Sequence, residues 1–341
     1  MNRSSFTRLG VTLLAGAGMA VAATSVGSVG AAASSKVQLF MLPKFTGIPP
    51  FTQAANGARQ QAKQYGYVLK YGGPTSASAT EQVNFINQAV ASGSKGIFIS
   101  ADNPAAVTPA LQRAEAHGVK VISFDSDVNP PGRTAFVAGT STASIAETQL
   151  NMLGSQIGYK GQFVILSAQA TDTNQVDWNN QLKKDLKTMP KYKNMKLVTI
   201  INPPDDSAAS AAKYTQNILQ EYPNIKGIIA PTTVAIAAAA QVLQQQKLCS
   251  KYVLTGLGDP LQMKSYVTSG CVKQFALWNF TREGTVAMCA MHAALTGHLT
   301  GKANESFACG KLGKYVVGNG GVIIAGPAEV FSKANLKAFT F

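Results

Sequence analysis

Side chains that do covalent or metal chemistry are scarce in this chain. Its 341 residues include three histidines and four cysteines. His117 stands just before Gly118, where a cation at a helix C-terminus is favourable. His292 and His298 are six residues apart and read as different faces of one helix, and no histidine has metal-ligand spacing. Gly93-Ser94-Lys95 lacks the strand-to-helix elbow of a hydrolase nucleophile. No Walker loop and no Gly-x-Gly-x-x-Gly occurs. Gly318–Gly321 is glycine-rich but precedes a strand instead of a helix, so a tight turn is expected there. Asp125 and Asp127 form the one close carboxylate pair at a strand end. Two residues apart, they point to opposite sides of a continuing strand and would not share a substrate as acid and base. Asp125 suits accepting hydroxyl hydrogens, whereas Asp127 is expected to cap or bridge the turn Asn129-Pro130-Pro131-Gly132. With no nucleophile, acid–base pair or metal cluster to build on, no enzyme, metal or cofactor is expected.

Charge is sparse as well. Only 13% of residues are charged against 46% hydrophobic, a balance that favours compact order. Basic residues outnumber acidic ones, 30 to 16, for a net charge of +14. They are scattered, and the densest patch (Lys183, Lys184, Lys187, Lys191, Lys193 and Lys196) reads as the exposed face and exit loop of a surface helix. No arginine-rich run or aromatic-interleaved platform accompanies it, so nucleic acid is not an expected partner.

The one long apolar stretch lies at the start. Arg3 and Arg8 precede an apolar run from Val11 to Ala23, too short to span a bilayer, and Ala31-Ala32-Ala33 offers a cleavage site before Ser34. A cut after Ala23 is the alternative. Residues 1–33 are therefore expected to be a secretory signal, and no cysteine there would carry a lipid anchor. The remaining 34–341 are long enough for two domains. Cys249, Cys271, Cys289 and Cys309 fit an oxidising compartment. If the runs Tyr252–Leu257 and Cys271–Leu277 are neighbouring parallel strands, Cys249 and Cys271 share a sheet end and can pair. Cys289 with Cys309 would be the second bond, although four cysteines allow three pairings.

From Lys36 onward short apolar runs alternate with amphipathic stretches. Strands are expected at Val37–Leu42, Val68–Tyr71, Gly96–Ser100 and Lys120–Phe124, with helices at Phe51–Tyr65, Ala79–Ser92 and Pro104–His117 between them. The pattern restarts with helix Ile145–Ile157, strand Phe163–Ser167, helix Trp178–Thr188, strand Leu197–Ile201 and helix Ser207–Gln220. Strand Ile225–Ala230, helix Ala235–Gln246 and strand Tyr252–Leu257 continue it. Continuous apolar strands between helices require parallel sheets covered on both faces. Two such series predict an α/β protein of two doubly wound, Rossmann-like lobes, with a (β/α)8 barrel as the rival. Ligands of these sheets sit at strand carboxyl ends. That rule selects Pro43-Lys44, Ser100–Pro104, Asp125–Asp127, a loop over Thr171–Asp177, Pro231–Thr233 and Gly258-Asp259.

Several segments in register resemble the ribose-binding-like periplasmic sugar-binding proteins, within them the rhamnose-binding and autoinducer-2 receptor subgroup. They are Pro43-Lys44-Phe45-Thr46-Gly47-Ile48-Pro49-Pro50-Phe51-Thr52 with Asn56-Gly57-Ala58, then Gly73-Pro74-Thr75, Ser100–Pro104, Phe124–Asp127, Ile229-Ala230-Pro231 and Ala276-Leu277-Trp278-Asn279. The resemblance runs from about Lys36 to the C-terminus. It implies a type I periplasmic binding fold with a three-strand hinge, and a monomeric importer component that captures a small neutral sugar for a membrane ABC permease in the periplasm. It places ligand contacts on Lys44, Asp125, Asn174, Gln175, Pro231 and Thr233, with Trp178 anchoring the second-lobe register. Asn174 and Thr233 depart from the autoinducer pattern and favour a rhamnose-like ligand. Phe51 and Trp278 are expected to stack on sugar C–H faces, and Asp259 to touch ligand or serve the hinge. The expected lobes are 34–139 plus 260–318 and 140–259 plus 319–341, with Gly139, Gly258 and Gly318 absorbing closure.

Overall fold

A computed structural model describes residues 36–336, so the leader expected over 1–33 lies outside the described residues. The chain begins with β1 (Gln38–Leu42), α1 (Pro49–Gln64), β2 (Val68–Tyr71), α2 (Ala79–Ala91), β3 (Gly96–Ile99), α3 (Pro104–Ala116), β4 (Lys120–Phe124) and β5 (Ala135–Ala138). It continues through α4 (Thr142–Ile157), β6 (Lys160–Leu166), α5 (Thr173–Thr188), β7 (Asn194–Ile201), α6 (Ala208–Glu221), β8 (Gly227–Ala230), α7 (Thr233–Gln245) and β9 (Val253–Gly256). Last come α8 (Pro260–Thr268), β10 (Gln274–Leu277), α9 (Phe280–Leu295), the strands β11 (Ser306–Ala308) and β12 (Lys314–Val316), β13 (Val322–Ile324) and β14 (Glu329–Ser332). Among the described residues no helix is long and apolar enough to cross a membrane.

Local chemistry starts the helices. Ser78, Asn103, Ser141, Ser207, Thr232 and Asn279 each accept a backbone N–H of the first turn of the helix they precede. Pro49-Pro50 and Pro104 supply first-turn positions whose missing N–H costs nothing. Helix α4 stops at Gly158, which takes the left-handed φ of 68°.

Two parallel sheets result, as the alternation predicts. The first has the order β13-β5-β4-β3-β1-β2 and the second β7-β6-β8-β9. A parallel bridge from Leu257 to Ala276 extends the second sheet to β10, which β14 pairs antiparallel. Helix α9 packs on α1 so closely that a Cβ on Gly57 would meet the Thr281 carbonyl and one on Gly284 the Ala54 backbone. Ala54, Ala58 and Ala62 give α1 the small side chains that this approach requires.

Two of the expected lobe crossings are corrected. The chain does leave the first sheet after β5, through Gly139. It stays with the second sheet past Gly258, however, whose N–H donates to the Ala276 carbonyl, and it crosses back only at Trp278–Asn279 between β10 and α9. It then remains with the first sheet past Gly318, because β13 pairs β5, and crosses again between Ile324 and Glu329. Thus 260–277 go with the second sheet and 319–324 with the first. Backbone pairing, not glycine content, sets where a chain changes sheets, so Gly258 and Gly318 lie within a lobe. The first and third crossings touch: Ala325 N–H donates to Ala138 O at 2.8 Å and Gly326 N–H to Gly139 O at 3.1 Å. The turn expected at Gly318–Gly321 is present, closed by Gly321 N–H on Gly318 O.

Helix α5 begins at Thr173, five residues before the expected Trp178, so Asn174 and Gln175 occupy a first helical turn and not a loop. His298 lies beyond the end of α9 and not in one helix with His292. The cysteines pair 249–271 and 289–309. The first bond clips the turns before β9 and β10, which are parallel neighbours as supposed, and the second ties the β11–β12 hairpin to α9.

Candidate functional site

The carboxyl ends of both sheets face one another across an interlobe cavity. Eight of the nine expected ligand residues border it: Lys44, Phe51, Asp125, Asn174, Gln175, Pro231, Thr233 and Trp278. Asp259 does not. It is fully buried as the N-cap of α8, accepting Leu261 N–H and Gln262 N–H on one oxygen and Gln53 Nε2 on the other. An aspartate followed by proline after a strand is a helix start, and here that local role consumes the carboxylate.

Lys44 follows β1 and is buried. Its Nζ donates to Asp172 Oδ2 at 2.8 Å and to Asn174 Oδ1 at 3.3 Å, both on the opposite lobe. Asp172 occupies the N-cap position of α5 but makes no cap bond; its carboxylate turns to Lys44 instead. Burial pulls the Lys44 pKa down, yet the attraction of Asp172 and Asp125 outweighs it and the ammonium is held above its ordinary value. Asp125 follows β4 with φ of 57°, a left-handed conformation that aspartate tolerates better than most residues. Its carboxylate accepts Ser100 Oγ at 2.6 Å and Asn174 Nδ2 at 3.2 Å. Burial raises its pKa, opposed by Lys44 and these donors. Asp172 is raised in the same way, burial first and Lys44 opposing.

Gln175 is braced within its own lobe, accepting Ser167 Oγ at 2.9 Å and donating to Pro231 O at 2.9 Å. Asp127 has the structural part expected of it. It takes a two-pronged ion pair from Arg133, both contacts at 2.6 Å, and caps Val128 N–H. Phe51 is at once wall and core, edge-on to Phe45, Phe124 and Phe280. Trp278 stacks on Phe280 with centroids 4.9 Å apart and meets Trp178 edge-on at 5.7 Å. A Cβ on Gly139 would strike the Trp278 indole, so the first crossing must be glycine for the tryptophan to lie there.

Three acidic residues join the site beyond the expected contacts. Asp172 lies in the Thr171–Asp177 segment that the strand-end rule selects, where the expected contacts are Asn174 and Gln175. Asp206 borders the cavity after β7, a strand end that the carboxyl-end rule would have selected equally. Burial lifts its pKa to about 6 against the pull of Lys44. Glu283, fully buried on α9, accepts Trp278 Nε1 at 2.7 Å and Asp125 N–H at 2.8 Å. Burial and then Asp125 push its pKa well up. Its place as the one acid of a helix whose following residues are mostly apolar was the available signal. Asp102, also buried, is lifted to about 7 by burial, with Lys44 opposing. Hydroxyl-matching donors and acceptors together with four aromatic lining residues suit a small ring carrying several hydroxyls. Among the described residues no group of three or more His, Cys, Asp or Glu is arranged to hold a metal ion.

Solved structures share this architecture. A solute-binding protein from Clostridium phytofermentas with bound L-rhamnose superposes with a TM-score of 0.85 at 32% identity, covering 89% of this chain and 99% of the other. LsrB from Clostridium saccharobutylicum in complex with AI-2 gives 0.83 at 26%, covering 89% and 100%. Among curated proteins, the D-apiose import binding protein of Actinobacillus succinogenes is 25% identical over 241 residues, 70% of this chain and 76% of that protein. Residues 39–299 match the family described as periplasmic binding protein domain. With the two-lobed α/β fold and that match over most of its length, the chain belongs to the periplasmic binding protein family.

Proposed function

We propose that this protein is the sugar-capturing component of an ABC importer, closing its lobes over one small neutral monosaccharide and releasing it unaltered. The carrying observation is the polar set drawn from both lobes around one aromatic-walled cavity: Lys44 and Asp125 from the first, Asn174, Gln175 and Thr233 from the second. A sugar hydroxyl that bridges them binds the closed form better than the open one, which is how a ligand shifts a hinge equilibrium. The closed form is then what the membrane permease reads, from a monomeric receptor exported after cleavage near Ala33. Both disulfides fit the oxidising periplasm. The preferred ligand is a deoxyhexose of the rhamnose type. Hinge motion falls at Gly139, Trp278–Asn279 and Ala325–Ala328, where the strands change sheet.

A second reading is an autoinducer-2 receptor. The likeness to LsrB at 26% identity favours it, and the Asn174 and Thr233 departures count against it. A thermal-shift screen with L-rhamnose, D-apiose, D-arabinose, other monosaccharides and autoinducer-2 separates the two. A ligand at 100 times its Kd stabilises the protein by about 2.7 kcal/mol. No shift with any sugar, or conversion of a sugar seen by NMR, would end the binding reading.

A further inference from the structure

A second, larger and outward-opening cavity adjoins the inner one, and Ile48, Asp206 and Thr233 border both. Both lobes wall it, with Phe45, Thr46 and the Thr75–Ala77 loop on one side and helix α7 on the other. Val234, Ala237, Ala238 and Gln241 of α7 line it, the i, i+3, i+4, i+7 spacing of one helix face. Two of those four are alanines, which leave room that larger side chains would fill. Tyr266 and Gln262 of α8 close the far wall. Thr75, Ser76, Gln241 and Gln262 are exposed at its rim, so the cavity opens outward.

We infer that this outer cavity is a second sugar subsite and that, besides the monosaccharide, the protein accepts a neutral disaccharide, one ring in the inner cavity and the next beyond Ile48, Asp206 and Thr233. The lining offers a sugar ring its contacts, with Phe45, Tyr266 and alanine methyls for C–H faces and amides and hydroxyls for the rim. Asp205 and Asp206 accept Ser207 Oγ and Thr232 Oγ1 at 2.9 and 3.0 Å and keep further lone pairs for sugar hydroxyls. The inference rests on the sugar-binding reading above and deepens it.

Calorimetry on the mature protein tests it with L-rhamnose, rhamnosyl-rhamnose and rhamnosyl-glucose, and in parallel with D-arabinose and arabinobiose. The expected result is a disaccharide that binds at least as tightly as its monosaccharide. Ala237→Trp, at a residue that lines the outer cavity and not the inner one, then weakens the disaccharide roughly tenfold or more and leaves the monosaccharide within about twofold. Gln241→Trp, at an exposed position on the same face, gives the same split if Ala237→Trp does not fold. Monosaccharide binding with no disaccharide binding overturns the subsite, and so does a variant that weakens both alike. Failure of every sugar overturns the sugar-binding reading and the subsite with it.

Discussion

Lys44 Nζ on the first lobe lies 2.8 Å from Asp172 Oδ2 on the second, a buried ion pair between groups 128 residues apart. Opening the hinge returns both to water, so the pair belongs to the closed form more than to either lobe. Lys44→Met should therefore leave the unliganded melting point nearly unchanged while weakening sugar binding by about 3 kcal/mol or more, the scale of truncating one member of a buried charge pair. Calorimetry and thermal shift measure the two separately. Full ligand response in this variant would remove Lys44 from the site.

Asp102 and Asp206 hold their protons up to about pH 7 and pH 6, against 3.8 in an unperturbed chain. The folded state thus binds more protons than the unfolded state in that interval. The stability these groups contribute is complete below about pH 4 and is lost as pH rises through 6 and 7. Melting curves from pH 4 to 8 should show this decline, made shallower by Asp102→Asn, whose side-chain oxygen can still accept Ser78 N–H. A slope unchanged by Asp102→Asn would assign the decline to Asp206 and to the other buried acids, Asp125, Asp172 and Glu283.

Asp259→Ala removes a helix cap and a partner of Gln53, not a ligand contact. The expected cost is about 1 kcal/mol of stability, with sugar affinity retained within a few-fold. A variant that melts normally but no longer binds would restore Asp259 to the site.

Reducing both disulfides should lower the melting point, since each closes a segment of 20 to 22 residues and such a link contributes about 3 kcal/mol. Neither bond borders the inner cavity, so the ligand-induced shift should survive at temperatures where the reduced protein is folded. Melting with and without reductant, each with sugar present and absent, checks this.

Gly139→Val places a branched side chain where the Trp278 indole lies. The tryptophan must move and the cavity wall moves with it. Sugar binding should fall while Trp178, edge-on to Trp278, reports the displacement in its fluorescence. Unchanged binding would show that the Trp278 position is not needed.

The sheet-forming runs and helix spacings were readable because they depend on neighbours in the chain: Phe163–Leu166 is fully buried and apolar on every residue, as a strand covered on both faces requires. Strand-end position then carried Lys44, Asp125, Asn174 and Pro231 to the cavity, since parallel strands all deliver the segments that follow them to the same sheet edge. Asp259 misled for a local reason, its carboxylate being spent on the first turn of α8. Asp172, Asp206 and Glu283 were hidden because an acid's role depends on which cation or donor faces it across the fold. The sheet changes at 278–279 and 325–328 were hidden too, since β13 and β14 are short and choose partners far away in sequence. Sequence alone therefore determined the elements, the class and the edge where the cavity forms. Tertiary structure decided which charges meet there, because pairing energy depends on distance and burial that no local pattern encodes.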